Sequence, residues 1–166
     1  MWFDIDQEYP GAKSFAISVT SSGASDYILN GTDRSGSVSG NDISLSLHIY
    51  DTLVLSVNAS GHPLYINTAN TTGTGSQVNN PSADNNGSEN GTITWTPTTS
   101  GTYYYNCQYH ASMSGIITVT EDCTVICPNL TQSLVGITNI AACTCCSGWF
   151  AKLSGHCFNK HTSQLS

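Results

Sequence analysis

Between about residues 13 and 120, apolar residues recur at every second position in short runs. Phe15-Ala-Ile-Ser-Val-Thr20 alternates, and Asp26-Tyr-Ile-Leu-Asn30 follows it and ends at Gly31. Leu45, Leu47 and Ile49 fall on one face of a strand, with Ser44, Ser46 and His48 on the other. A tight turn at Tyr50-Asp51 leads into Leu53, Leu55 and Val57, again with period two. Ile93 and Trp95 alternate with Thr92, Thr94 and Thr96. Tyr103-Tyr104-Tyr105 is aromatic and strand-prone, and Gly115-Ile-Ile-Thr-Val-Thr120 closes the set. Strands at this spacing, with no helical period among them, predict an antiparallel sandwich or barrel. Residues 67 to 91 break the pattern: Asn, Thr, Gly and Ser dominate and almost nothing there is apolar, so a long loop is expected.

The rest of the composition agrees. Charged residues are 9% of the 166 and apolar ones 39%, with Ser, Thr, Asn and Gly filling much of the remainder. This suits an all-β chain better than a helical one. No run of 18 apolar residues is present, so no membrane span is expected. Four basic residues against eleven acidic ones give a net charge of −7. Nucleic acid and anionic membranes are poor partners for such a surface, because both need clustered Lys and Arg.

Seven cysteines are distributed unevenly. Cys107 stands alone, whereas Cys123, Cys127, Cys143, Cys145, Cys146 and Cys157 crowd into the last 44 residues. So dense a set reads as a disulfide framework made in an oxidising compartment. Asn-X-Ser/Thr acceptors at Asn30, Asn58, Asn70, Asn86, Asn90 and Asn129 add weak support for secretion. The opening Met-Trp-Phe-Asp-Ile-Asp-Gln-Glu has no basic n-region and no apolar h-region, so it does not read as a signal peptide. The chain reads as a piece of a longer extracellular or cell-surface protein.

The candidate chemistry lies in two segments. One is Gly61-His62-Pro63-Leu64-Tyr65-Ile66. The other, 45 residues on, is Cys107-Gln-Tyr-His110-Ala-Ser-Met113, set between the Tyr run and the Gly115 strand. Cys-x2-His-x2-Met on a short loop between hairpin partners can turn three side chains onto one point, and His62 must arrive from a neighbouring strand end. Two imidazoles and a thiolate with a weak thioether are the ligand set of blue copper electron-transfer sites. Parity points the same way. Six tail cysteines can pair, leaving Cys107 single, and a secreted free thiol is a liability that metal ligation would remove. The competing reading of Cys107 is a buried core thiol. His48 reads as a solvated strand histidine. His156 and His161 could bind metal with the tail cysteines, though disulfides fit that segment better. Trp95 and Tyr103 to Tyr105 read as core and edge aromatics, and Asp33 with Arg34 reads as a turn.

On these residues the stretch from Lys13 to Thr120 resembles the cupredoxins, the superfamily of plastocyanin, azurin and amicyanin. The Cys-x2-His-x2-Met loop is like that of amicyanin, and Met-x-Gly-x-Ile just after it also resembles the family. The resemblance covers about two thirds of the chain. It implies a Greek-key β-sandwich with one type 1 copper per chain, held by His62, Cys107, His110 and Met113. Two positions depart from the family pattern. Pro63 follows the first ligand histidine where Asn is frequent, and Asn106 precedes the ligand cysteine where plastocyanin has Tyr. Both bear on partner choice and potential.

Glu121-Asp122 marks a composition shift. The segment after it resembles ephrin-receptor-like or EGF-like cysteine-rich repeats, opened by Cys127-Pro and closed by Cys143-x-Cys145; the adjacent Cys146 departs from them. Fifteen pairings of six cysteines are open; the expected one joins Cys127 to Cys143, Cys145 to Cys157 and Cys123 to Cys146. The expected organisation is an N-terminal extension over 1–12, a cupredoxin-like domain over 13–121 and a small disulfide-rich module over 122–166. The expected function is copper binding and electron transfer, with a redox protein docking near His110 and an apolar rim of Ala111, Pro63 and Leu64 around it. A binding or adhesion module, with copper structural or absent, is the alternative. An oxidase is a poor fit, because the five histidines include no His-x-His pair.

Overall fold

The computed structural model describes residues 11–121, with the backbone of two short strands farther on. The expected N-terminal extension, cysteine-rich module, its disulfides and the Asn129 acceptor lie outside the described residues, apart from residues 11 and 12 and those two strands.

Nine strands build the unit Ala12–Thr120. A five-stranded sheet has the order β3-β2-β1-β5-β7, formed by β1 (Ser14–Ser22), β2 (Asp26–Asp33), β3 (Gly36–Asn41), β5 (Thr52–Asn58) and β7 (Asn90–Trp95). A four-stranded sheet has the order β4-β9-β8-β6, formed by β4 (Leu45–His48), β9 (Ser114–Thr120), β8 (Gly101–Cys107) and β6 (Leu64–Asn67). Most neighbours are antiparallel, but β1 pairs β5, and β4 pairs β9, in parallel. Separately, β10 (Trp149–Ala151) and β11 (Cys157–Asn159) pair antiparallel.

The period-two pattern places the core. Phe15, Ile17 and Val19 of β1, Tyr27 and Leu29 of β2, and Leu53, Leu55 and Val57 of β5 are buried on one face of the larger sheet. They share one apolar cluster with Leu45, Leu47, Ile66, Tyr105, Ile117 and Val119 of the smaller sheet. This is the two-sheet all-β sandwich that the alternation predicts, each sheet turning its apolar face to the other. The opposite face of the larger sheet carries small polar residues in cross-strand rows: Ser39, Asn30, Ser18, Ser56 and Thr92 stand in one line through all five strands. Much of the Ser and Thr content is accounted for there.

Three features were not legible in the pattern. The edge strand β3, GSVSGN, buries only Val38, so no alternation announces it; pairing with β2 holds it in place. The 67–91 stretch is fastened by polar side chains. The Asn86 amide stands in for a strand neighbour, with Oδ1 accepting from the Ile66 N–H at 2.7 Å and Nδ2 donating to the Ile66 carbonyl at 3.1 Å. Gly87, at φ 93°, lies so close to the Tyr65 ring that a side chain there would collide with it. Val78 is buried from the same stretch and its N–H donates to Ile66.

The third feature is a buried charge. Asp51 is fully buried and takes a bidentate pair from Arg34, 2.7 Å from Nε and 2.6 Å from Nη2. It also accepts the N–H groups of Lys13 and His48 at 2.9 and 2.7 Å. Burial alone would raise its pKa; the Arg34 guanidinium and the two N–H groups outweigh that and hold the carboxyl below its usual range. The turn residues of the sequence reading thus tie the β2–β3 hairpin to the start of β5. Asp33 beside them is buried too, and accepts from the N–H groups of Ser35 and Ser46.

Candidate metal centre

Strand register brings the candidate donors together. In the β6–β8 ladder Leu64 stands opposite Cys107, and just beyond it the Gln108 N–H donates to the Pro63 carbonyl at 2.9 Å. His62, two residues before Leu64, is therefore at the same end of the smaller sheet as Cys107. After Cys107 the chain turns at once. The Met113 N–H donates to the His110 carbonyl at 3.2 Å and the Cys107 N–H to the Met113 carbonyl at 2.9 Å, so the loop closes on itself and aims His110 back toward Cys107.

Three donor atoms converge. His62 Nδ1 and His110 Nδ1 are 3.2 Å apart, Cys107 Sγ is 3.4 Å from His110 Nδ1, and it is 3.9 Å from His62 Nδ1. Among the described residues this trio is the group of His, Cys, Asp or Glu donors placed to hold a metal ion. A triangle with these edges has a centre about 2 Å from each corner, the range of metal–imidazole bonds and a little under metal–thiolate ones. The unpaired cysteine is wholly buried, and so is Met113; the two histidines are half-buried. Met113 belongs to the apolar cluster that also contains Cys107. The donor chemistry is two imidazole nitrogens and a sulfur facing one point, with Met113 buried at the end of the same loop. That set fits a soft, nitrogen- and sulfur-seeking ion.

The surroundings differ in one respect from the sequence reading. Pro63 and Leu64 are buried and form no exposed rim; the register that pairs Leu64 with Cys107 pulls both inward. Tyr109, 61% exposed, takes that place. Its ring lies edge-on to His110 with centroids 6.5 Å apart, and Ala111 is exposed next to it. Asn106 is buried and sits in an amide network with Asn67 and Asn70, at 3.2 and 2.6 Å. His48 is half-buried on β4 and lies outside the donor trio.

One site residue had escaped notice. Tyr27, on β2 of the opposite sheet, donates its hydroxyl to the His62 carbonyl at 2.8 Å. Its sequence signal was available: a Tyr at an inward-facing strand position needs a hydrogen-bond partner in the core.

No protein-family model matches the chain, and no curated protein matches it. Among solved structures it is similar to the copper protein rusticyanin, with 22% identity and a TM-score of 0.42 over 68% of this chain and 80% of the other. Rusticyanin from Thiobacillus ferrooxidans gives 21% and 0.40 over 68% and 80%. The periplasmic domain of subunit II of cytochrome oxidase from Bradyrhizobium japonicum gives 13% and 0.37 over 65% and 85%.

Proposed function

We propose that this chain binds one copper ion in a type 1 site and serves as an electron-transfer module. The observation that carries the reading is the convergence of His62 Nδ1, His110 Nδ1 and Cys107 Sγ at 3.2 to 3.9 Å, with buried Met113 on the same loop. Structural zinc sites take thiolate, imidazole or carboxylate; a thioether beside a thiolate favours copper instead. Bound there, copper would supply one-electron chemistry between Cu(I) and Cu(II).

The chain's own residues do the rest. Cys107, deep in the core, provides the thiolate. His62 and His110 lie on loops that flank β6 and β8, two strands whose register is fixed by sheet hydrogen bonds. A framework that resists rearrangement keeps the reorganisation of electron transfer small. Both histidines are half-buried, and the exposed Tyr109 and Ala111 beside His110 form the surface at which a redox protein would dock. We place the module outside the cytosol, on the strength of the clustered tail cysteines and the glycan acceptors. Among the described residues no helix is long and apolar enough to cross a membrane. We read the unit Ala12–Thr120 as an electron carrier.

Cu(II) added to the metal-free protein tests the reading. An intense thiolate-to-copper absorption in the visible, at one copper per chain, is expected. A colourless complex, or Zn(II) displacing Cu(II) at equal concentration, would reject it.

A further inference from the structure

Tyr27 is a polar side chain that reaches the candidate metal centre from the larger sheet. It is fully buried, its hydroxyl lies 2.8 Å from the His62 carbonyl, and its ring is held edge-on against Tyr105 with centroids 6.3 Å apart. Its backbone is fixed on both sides. The Tyr27 N–H donates to Asp42 Oδ1 at 3.0 Å, and the Tyr27 carbonyl accepts from the Asp42 N–H at 2.8 Å. The hydroxyl donates its single hydrogen to the His62 carbonyl.

Resting on the copper reading above, we propose that Tyr27 is a positioning residue of the centre: its hydroxyl latches the His62 loop to the larger sheet. The bond spans 35 positions and ties the residue before Pro63 to strand β2. An outer group that fixes a ligand's orientation and the electron density on its donor atom changes metal affinity and redox behaviour without touching the metal.

The experiment compares Tyr27→Phe with Tyr105→Phe in the full chain. Tyr105 is an equally buried phenol whose hydroxyl donates to the Ile43 carbonyl at 2.8 Å, with no bond to a candidate ligand. Each variant loses one buried hydroxyl and keeps its ring. For Tyr27→Phe, Cu(II) affinity should fall about tenfold or more, and the thiolate-to-copper band and the reduction potential should both move. In the metal-free protein, amide exchange at His62 should quicken. Tyr105→Phe should lose comparable thermal stability and leave all four readouts at wild-type values. A blue wild type with an indistinguishable Tyr27→Phe overturns the role of Tyr27 alone, as does a Tyr105→Phe that moves the band equally. A wild type that stays colourless overturns the copper reading and the tuning role with it.

Discussion

Leu64 stands directly opposite Cys107 in the β6–β8 ladder, and that pairing decides where His62 can be. A slip of one residue would turn Leu64 outward and carry His62 to the other face of the sheet. The burial of Leu64 in the apolar core therefore guards the metal-site geometry as well as the fold.

On the copper reading proposed above, Cys107→Ser should abolish the visible band, because the thiolate would supply the charge-transfer colour. Met113→Leu should keep the band and change the reduction potential, since an axial thioether is a long, weak ligand. Absorption and voltammetry of the two variants check this. A blue Cys107→Ser protein would remove Cys107 from the site.

Asp51→Asn should destabilise the sandwich by about 3 kcal/mol, because it leaves the Arg34 guanidinium at a buried position without its counter-charge. In the wild type the carboxyl's folded pKa lies below its unfolded value. Its contribution is thus complete above about pH 4 and fades as pH falls further, through the lower folded pKa. Urea midpoints from pH 7 to pH 2 should show a fall in the wild type below pH 4, and a shallower fall in the variant.

Asp42 behaves in the opposite sense. Its carboxyl is raised to about 6, first by burial and then by neighbouring Asp26, against the lowering effect of the Tyr27 N–H. The folded state holds its proton more tightly than the unfolded chain, so this group costs stability increasingly as pH rises from 4 through 6. Asp42→Asn keeps an acceptor for the Tyr27 N–H and suits the φ of 45°. It should stabilise by about 1 kcal/mol at pH 8, discounted for partial exposure, and by nearly nothing at pH 4. Equal gains at both pH values would refute the assignment.

Gly115→Ala should cost about 2 kcal/mol. A methyl group at Gly115, opposite Tyr105 on the next strand, would overlap the Tyr105 hydroxyl and ring. Chemical denaturation should show the loss, and near-ultraviolet circular dichroism the displaced tyrosine. An unchanged midpoint would mean that the ring moves freely.

The period-two runs between Phe15 and Val119 determined most of the strands and their inward face by themselves, because alternation is all that a half-buried strand requires of its sequence. The Cys107, His110 and Met113 spacing likewise exposed the ligand loop, since those residues are neighbours along the chain. What the sequence left open depends on register and on contacts between distant segments. Strand β3 has one apolar residue and exists through its partner β2. Pro63 and Leu64 look like rim residues in the sequence, and only the pairing of Leu64 with Cys107 turns them inward. Asp51 passes for a turn residue until Arg34, 17 positions away, is folded onto it. Tyr27 reads as ordinary core until the second sheet lays the His62 carbonyl against its hydroxyl, 35 positions away. An inward-facing Tyr announces that its hydroxyl needs a partner, but which residue supplies it leaves no local trace, because each partner satisfies its own segment's pattern whatever the other does.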